Sequence, residues 1–238
     1  MDRVLTDKEA AHSRAVKEMF SGIARRYDLL NHVLSLNIDK GWRRSVRREL
    51  ADVLACPDSL VLDVACGTGD LAIELQHDSA ATVIATDFCR PMLAVARDKE
   101  ASIPYVEADA MKLSFPDRIF DAVTIAFGLR NLPHHADGIA EMHRILKPGG
   151  RLVILECSKP RLPVFRQLYE LYFSTVLPRI GGMVSGSRGA YEYLPDSVSK
   201  FPDQKTLATM METAGLTSVE FQNLTGGIAA LHSGTKSG

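Results

Sequence analysis

Hydrophobic and polar positions follow two alternating patterns from residue 60 onward. Short apolar runs rich in β-branched residues predict buried strands at 60–65, 82–86, 103–107, 120–127 and 151–157. Amphipathic stretches between these runs predict helices at 70–76, 91–100 and 136–146. Because apolar strands alternate with helices, we expect a mostly parallel sheet that is covered by helices on both faces.

Two regions lie outside this alternation. Residues 1–57 have a helical pattern and precede the first strand, and residues 160–200 interrupt the succession of strands and helices. We therefore expect an N-terminal helical extension over 1–57, a main domain over 58–238, and within that domain a helical lid insertion over 160–200.

The end of the chain predicts a different arrangement of strands. A helical pattern at 204–214 precedes two apolar runs, 216–224 and 227–234, which meet at Thr225-Gly226-Gly227. Such a junction is typical of a turn between adjacent antiparallel strands. The predicted fold class is therefore α/β, with a doubly wound, Rossmann-like sheet of about seven strands whose last strand is antiparallel.

The most informative motif is VLDVACGTGDLA at 61–72, which joins the first strand to the first helix. Gly67 and Gly69 in this turn let the backbone approach a ligand where a Cβ atom would collide. The first N–H groups of the following helix have no partner within the helix and point at the same place. The motif predicts a site for a nucleotide-like cofactor.

The glycine turn alone fits two cofactors. Gly67-x-Gly69-x-x-Ala72, with Asp87 about 20 residues further on, also satisfies the NAD fingerprint. S-adenosylmethionine presents a similar adenosine, so the motif does not separate the two.

Three further features favour S-adenosylmethionine. Asp63 lies at the strand end near the loop that would hold an amino-acid group, although it could instead shape the turn by accepting loop amides. Asp109 follows the third strand, where its carboxylate can accept the adenine amino group while the Ala110 amide donates to the ring. The antiparallel closing hairpin is foreign to ordinary dinucleotide-binding domains.

Composition narrows the class of protein. At 238 residues the chain fits one domain with extensions, and a net charge of −1 gives no general attraction to nucleic acid. The four cysteines have no CxxC spacing, and His134 and His135 have no third ligand at suitable spacing, so we expect neither disulfides nor a metal. Without a signal-peptide core or a long apolar run, a cytoplasmic location is expected.

A basic stripe occupies one face of a predicted helix near residue 45. Its members recur at helical spacing: Lys40, Arg43, Arg44, Arg47 and Arg48. The opposite face is apolar, with Trp42, Val46, Leu50 and Val53. A solvated helix face is the expected interpretation, followed by contact with anionic lipid and, last, RNA binding.

Several segments resemble one family. The chain is similar to class I methyltransferases and, more narrowly, to the ubiquinone/menaquinone biosynthesis C-methyltransferases. The matching segments cover nearly the whole chain and include VLDVACGTGD, ADAMKLSFPD, AFGLRN, RILKPGG, YEYLPDSVSKFP and LTGGIAALHSGTK. The N-terminal segment MFSGIARRYDLLNHVLSLNIDKGWRR is also similar to the family's signature.

The resemblance implies S-adenosyl-L-methionine as cofactor and assigns its contacts. Thr68 in the glycine turn, Asp87 at the ribose hydroxyls, and Asp109 with Ala110 at the adenine match the family's positions. A family serine in the strand before GLRN falls on Ala126, which has no hydroxyl. Cys66 and Cys157 stand where relatives have glycine and phenylalanine, which we interpret as packing differences.

The resemblance also implies methyl transfer to a ring carbon of a prenylated hydroquinone. A ring carbon becomes nucleophilic when the neighbouring hydroxyl loses its proton, so the site should favour a phenolate. We expect Arg130 to stabilise that phenolate or polarise a water, Asn131 to bond the second ring oxygen, and Tyr27 to bond the hydroxyl or transfer its proton. The alternatives are a loop-bracing salt bridge for Arg130 and a core position for Tyr27.

The sequence specifies the substrate and the partners less closely than it specifies the cofactor. The compact N-terminus resembles members that act only on menaquinone precursors, which favours demethylmenaquinol over a polyprenyl benzoquinol. The apolar segment 162–177 could line a tunnel for the prenyl tail, form a homodimer contact, touch the inner face of the membrane, or be a core helix of the lid.

Other functions have weaker support. Exocyclic amine methylation of nucleic acid typically uses a polar-Pro-Pro-aromatic clamp after the fourth strand, and this chain has Phe127-Gly128-Leu129-Arg130. We therefore expect no nucleic-acid partner. An NAD-dependent oxidoreductase and a non-enzymatic adenosine-binding subunit remain alternatives that direct assays of binding and methyl transfer separate.

Overall fold

The computed structural model describes residues 6–158 and 189–238, and these contain a seven-stranded sheet in the order β3-β2-β1-β4-β5-β7-β6. The strands are β1 (Leu60–Val64), β2 (Thr82–Asp87), β3 (Tyr105–Glu107), β4 (Phe120–Ala126), β5 (Leu146–Cys157), β6 (Leu216–Leu224) and β7 (Ala229–Lys236). Strands β1 to β5 pair in parallel, while β7 pairs antiparallel with both β5 and β6. The predicted fold class is confirmed, including the antiparallel last strand.

Helices cover the sheet and precede it. They are α1 (Asp7–Ile23), α2 (Tyr27–Leu34), α3 (Ile38–Glu49), α4 (Ala51–Leu54), α5 (Asp70–Gln76), α6 (Arg90–Lys99), α7 (His135–Ile145), α8 (Gly189–Lys200) and α9 (Gln204–Thr213). Thr6 begins α1 with a capping box: its side chain accepts the Glu9 amide, and the Glu9 carboxylate accepts the Thr6 amide. No helix in the described ranges is both long and apolar enough to cross a membrane.

The strand order places a crevice at the carboxyl ends of β1 and β4. From β1 the chain runs outward through β2 and β3, and it then returns to place β4 on the other side of β1. Open α/β sheets bind ligands where the strand order reverses in this way. The turns after β1, β2 and β4 therefore border one site.

The N-terminal helices belong to the hydrophobic core. Trp42 and Val46 on α3, and Leu50 directly after it, pack in the same cluster as Val61 of β1 and Val153 of β5. Neighbouring strand residues such as Leu62 face a second cluster with α7 and α9 on the other side of the sheet. The division at residues 57 and 58 into an extension and a main domain stays a prediction.

Some element bounds differ from those predicted. The strand β5 begins at Leu146, directly after α7 and five residues before the predicted start at 151, but residues 147–150 form an irregularity in its pairing with β4. Conversely, β3 begins only at Tyr105, because Pro104 has no N–H to donate to the ladder. A short 3₁₀ turn at Thr225–Gly227 delays the start of β7.

The structure corrects the prediction of an exposed basic stripe at one position, Arg43. Arg43 is buried and pairs with Asp39, one turn earlier on α3, and with Asp70 at the start of α5. An acid four residues before an arginine on the same helix face draws the guanidinium inward. Lys40, Arg44 and Arg48 remain exposed, and Arg47 is half-buried.

Two predictions concern the region after β5. Within the expected insertion at 160–200, residues 189–200 form α8, which contains Pro195. The apolar segment 162–177 lies outside the described residues, and so do the other residues of the insertion from 160 to 188.

Candidate active site

At the carboxyl ends of β1 and β4, where the strand order predicts a ligand site, the structure has a cleft. It contains about 1060 Å³ of empty space, which includes its open mouth. Its walls come from the N-terminal helices and from the turns after β1, β2, β3 and β4. Among the predicted site residues, those that line it are Tyr27, Gly67, Thr68, Asp87, Asp109, Ala110 and Asn131. Arg130 and Gly69 are not among the lining residues.

The two glycines of the turn have different surroundings. Both have positive φ, +57° at Gly67 and +83° at Gly69, which favours glycine at each position. A Cβ atom on Gly67 would face the cleft, 3.8 Å from Cε1 of Tyr27. On Gly69 it would lie 3.0 Å from the Tyr105 hydroxyl and 3.1 Å from Cβ of Ala96. Gly69 therefore allows close packing behind the turn, whereas Gly67 opens the cleft.

Asp87, the last residue of β2, is held by backbone donors. Its carboxylate accepts the amide of Gly67 at 2.8 Å and the amide of Cys89 at 2.7 Å. Burial raises the pKa of Asp87, and these two amides partly oppose the shift. The carboxylate thus ties the end of β2 to the glycine turn and still borders the cleft.

The predicted adenine contacts lie together after β3. Asp109 is exposed and accepts the amide of Met111 at 2.9 Å, while the neighbouring Ala110 is buried. The side chains of Phe88 and Met92 line the cleft with them. This part of the site has the apolar surfaces and the acidic edge that an adenine ring requires.

Asp63 is an acid with one unused oxygen. Its Oδ1 accepts the Thr124 hydroxyl at 2.7 Å, and its buried Oδ2 has no hydrogen-bond partner among the described residues. Burial raises the pKa of Asp63 to about 7. A cationic ligand group at the cleft would supply the missing partner.

Arg130 is fixed by an acid that the sequence analysis did not identify. Its Nη1 donates to Glu156 Oε2 at 2.8 Å and to the carbonyl oxygen of Phe127 at 2.6 Å. Burial lowers the pKa of Arg130, but Glu156 together with the neighbouring Cys157 and Tyr27 raises it overall. The guanidinium therefore stays charged, and its buried Nε has no partner in the described ranges.

Tyr27 and Asn131 face the cleft from opposite elements. Burial raises the pKa of Tyr27, while the nearby charge of Arg130 opposes the shift. Asn131 donates to the Phe127 carbonyl at 3.3 Å and accepts the hydroxyl of Tyr193 at 3.1 Å. Tyr193 on α8 was not predicted as a site residue.

The sequence analysis missed Glu156 and Tyr193 for different reasons. Glu156 interrupts the otherwise apolar run of β5, and a charged residue within a buried strand is a signal for a buried partner. Tyr193 has no comparable signal, because its approach to Asn131 depends on how α8 docks.

Polar contacts also tie the N-terminal helices to the glycine turn. The hydroxyl of Thr68 donates to Asp28 of α2, and Lys99 bridges Asp28 and Asp70. His32, Asp39 and Asp70 offer ligand atoms within 4.8 Å of one another. Arg43 contacts both acids and Lys99 contacts Asp70, so positively charged side chains already face this cluster. Thr68 lines the cleft and, through its contact with Asp28, attaches the glycine turn to α2.

Comparison with known proteins assigns the family. The model of the ubiE/COQ5 methyltransferase family matches residues 7–236. The chain belongs to this family. It is therefore a methyltransferase, and the resemblance stated from the sequence is confirmed.

Individual relatives match over nearly their full length. A demethylmenaquinone methyltransferase from Deinococcus radiodurans is 50% identical over 228 residues, which cover 94% of this chain and 93% of the relative. A demethylmenaquinone methyltransferase from Thermus thermophilus is 48% identical, covering 92% of this chain and all of the relative. A ubiquinone/menaquinone biosynthesis C-methyltransferase from Geobacter sulfurreducens is 44% identical, covering 93% of this chain and 88% of the relative.

Solved structures match in fold. A SAM-dependent methyltransferase from Thermotoga maritima has a TM-score of 0.60 at 16% identity and covers 92% of this chain and all of its own. Phosphoethanolamine N-methyltransferase 2 from Haemonchus contortus, in complex with S-adenosyl-L-methionine, has a TM-score of 0.58 at 14% identity; the match covers 82% of this chain and 53% of that one. At these identities the likeness concerns the fold alone.

Proposed function

We propose that this protein transfers a methyl group from S-adenosyl-L-methionine to a ring carbon of a prenylated naphthoquinol, converting demethylmenaquinol to menaquinol in the last step of menaquinone biosynthesis. The observation that carries the proposal is near-full-length identity of 48–50% to two demethylmenaquinone methyltransferases. The corresponding methylation of a polyprenyl benzoquinol is the second candidate, favoured by the relative whose name covers both quinones.

The residues of the cleft fit the proposed cofactor. Asp87 can accept hydrogen bonds from the ribose hydroxyls, Asp109 can accept the adenine amino group, and the Ala110 amide can donate to the ring. The unpartnered Oδ2 of Asp63 suits the ammonium group of the methionyl part. When bound, the cofactor supplies a methyl group already activated by its sulfonium.

The protein's task is then to make the ring carbon nucleophilic. Tyr27 is itself a phenol at the cleft, and although burial raises its pKa, the nearby charge of Arg130 opposes that shift. We propose that the charge of Arg130, which acts on Tyr27 although Arg130 does not line the cleft, also favours the phenolate of the substrate. Its high pKa keeps Arg130 charged, so it does not act as the base.

Tyr27 and Asn131 position the ring. With its pKa raised, the Tyr27 hydroxyl keeps its proton and can donate it in a hydrogen bond to a ring oxygen. Hydrogen bonds to Phe127 and Tyr193 fix the Asn131 side chain at the cleft, which supports the proposal that its amide bonds the second ring oxygen. Alignment of the ring carbon with the methyl group is the main contribution expected from these contacts.

The proposed location is the cytoplasm, at the inner face of the membrane where prenylated quinols dissolve. Leu29, Leu36 and Ile38 are exposed large hydrophobic residues in α2, α3 and the turn between them. The exposed cations Lys40 and Arg44 follow on α3. Apolar side chains next to cations suit the surface of a bilayer that contains anionic lipids.

A methyl-transfer assay tests the proposed function. The purified protein is incubated with tritiated-methyl S-adenosyl-L-methionine and either a short-chain demethylmenaquinol or a benzoquinol with the same prenyl chain. We expect label in the naphthoquinol fraction. Label only in the benzoquinol would show that the benzoquinol, and not the naphthoquinol, is the substrate. Label in neither quinol would refute the proposed function.

A further inference from the structure

The charges around the cleft are unbalanced. Four carboxylates line it, and Arg43 is the one cation among the described lining residues; the acids are Asp63, Asp70, Asp87 and Asp109. Arg43 comes from α3, outside the elements that carry the glycine turn and the predicted adenosine contacts. A ligand with one carboxylate would find a single cationic partner within this lining.

Arg43 is anchored by one edge of its guanidinium. Its Nη2 donates to Asp39 Oδ2 at 2.6 Å and lies 3.2 Å from Asp70 Oδ2, while the residue is 8% exposed. Its Nε and Nη1 make no hydrogen bond within residues 6–158 and 189–238. The two acids therefore hold the side chain in place and leave N–H donors for a ligand.

The position of Arg43 relative to the cofactor site is also specific. Its partner Asp70 follows Gly69 directly and begins α5, next to the glycine turn. The predicted adenosine contacts, Asp87 and Asp109, stand instead at the ends of β2 and β3. Arg43 thus borders the part of the cleft left for the methionyl group.

We propose that Arg43 binds the carboxylate of the methionyl part of S-adenosyl-L-methionine. Guanidinium and carboxylate form strong charge-assisted hydrogen bonds, in matching geometry when two are made. Asp63, on the same cleft, takes the ammonium group, so each charge of the amino acid has a partner of opposite sign. The inference rests on the proposed function, since it assumes that cofactor.

A purely structural role makes a different prediction. In that case Arg43 only neutralises Asp39 and Asp70, and its loss weakens every ligand of the cleft alike. A role in carboxylate binding weakens only ligands that carry the carboxylate.

Calorimetric titration separates the two roles. Each variant is titrated with S-adenosylhomocysteine and with its decarboxylated analogue, and the ratio of the two Kd values is the readout. We expect the wild type to prefer the carboxylate by at least about tenfold and Arg43→Gln to lose that preference. Arg44→Gln, an exposed neighbour on the same helix, should keep it.

Other outcomes are equally decisive. The inference is overturned if Arg43→Gln keeps the wild-type ratio, or if the wild type has no preference. Should Arg43→Gln fail to fold, Asp39→Asn/Arg43→Gln, which also removes the charge of the acid that loses its arginine partner, is judged by the same ratio. A wild type that binds neither compound refutes the proposed function itself, while one that binds both equally refutes only the role of Arg43.

Discussion

At the scale of single residues, the ion pair between Arg130 and Glu156 fixes the position of the Arg130 charge near the cleft. Glu156 accepts Nη1 and the backbone amide of Arg130 and the amide of Cys157, so its carboxylate is almost fully committed. It is a positioning residue, because it orients a cation and has no free oxygen with which to act as a base. Arg130 therefore combines the two roles that the sequence left as alternatives: it forms a salt bridge, and it is proposed to stabilise the substrate's phenolate.

Replacing Arg130 tests the catalytic half of this assignment. Arg130→Ala should abolish turnover while calorimetric binding of S-adenosylhomocysteine survives, since the predicted cofactor contacts lie on other elements. The unpaired Glu156 carboxylate should also destabilise the variant by about 3–5 kcal/mol. Arg130→Ala/Glu156→Gln should recover stability in thermal unfolding without recovering turnover. Turnover at the wild-type rate in either variant would remove Arg130 from the mechanism.

Asp63 predicts how cofactor binding depends on pH. Burial raises its pKa to about 7, so in the empty cleft the carboxyl is largely neutral at lower pH. If the ammonium of the cofactor requires the ionised form, affinity for S-adenosylhomocysteine should rise by up to about tenfold per pH unit below pH 7 and level off above it. Asp63→Asn should flatten this dependence. An unchanged profile in that variant would contradict the contact.

The same shift has a consequence for the stability of the cofactor-free protein. A carboxyl whose pKa is higher in the folded state than in the unfolded chain stabilises the fold at low pH. That contribution is lost as pH rises from about 4 to about 7. Asp63→Asn should therefore reduce the decline in stability that the wild type shows across this interval.

Residues of the site differed in how well the sequence predicted them. Thr68 and Asp87 follow from local rules, because a glycine turn and the acid at the next strand end must meet at one edge of a parallel sheet. The position of Arg43 in the cleft and the approach of Tyr193 to Asn131 depend on how helices outside the sheet dock. Such long-range packing leaves no local pattern to read.

At the scale of elements, the N-terminal helices and the sheet share one core. Leu50 is fully buried at the end of α3, and Trp42 donates from its indole N–H to Thr225 at 2.8 Å, beyond β6. The central strands β1 and β4 were predicted well because their apolar runs are almost completely buried. The start of β5 was not, because Leu146 pairs with Phe120 of β4 before the chain bulges out at residues 147–150 and pairing resumes at Arg151.

Shared packing predicts cooperative unfolding. Leu50→Ala should lower the free energy of unfolding by about 2–5 kcal/mol, because it leaves a cavity between α3 and the sheet. Leu36→Ala, at a position that is 75% exposed, is the matched control and should change it little. Urea unfolding followed by both Trp42 fluorescence and far-UV circular dichroism should show one transition. Two separate transitions would mean that the extension folds by itself.

At the scale of the whole molecule, the remaining predictions concern contacts made by the protein surface. Among the large hydrophobic residues whose exposure the structure describes, Leu29, Leu36 and Ile38 are exposed on α2, on the following turn and at the start of α3, and Val106 is exposed on β3. The homodimer suggested from the sequence stays a prediction, since it was based on the segment 162–177. Sedimentation at several protein concentrations would measure it.

Vesicle flotation tests the proposed membrane contact. The wild type should float with vesicles that contain anionic lipid at low salt and be released at high salt, since screening weakens the contribution of Lys40 and Arg44. Leu36→Ser/Ile38→Ser should float poorly, whereas Val106→Ser, an equally apolar exposed site elsewhere, should behave like the wild type. If the wild type does not associate at low salt, this surface does not bind membranes.

The cleft beside the Gly67–Gly69 turn is proposed to bind the sulfonium nucleoside of a methyl-transfer reaction. The most direct measurement is calorimetric titration of the purified wild type with S-adenosyl-L-methionine and, separately, with NAD. We expect one saturable site for the first compound and no binding of the second. Binding of NAD without binding of S-adenosyl-L-methionine would contradict the account.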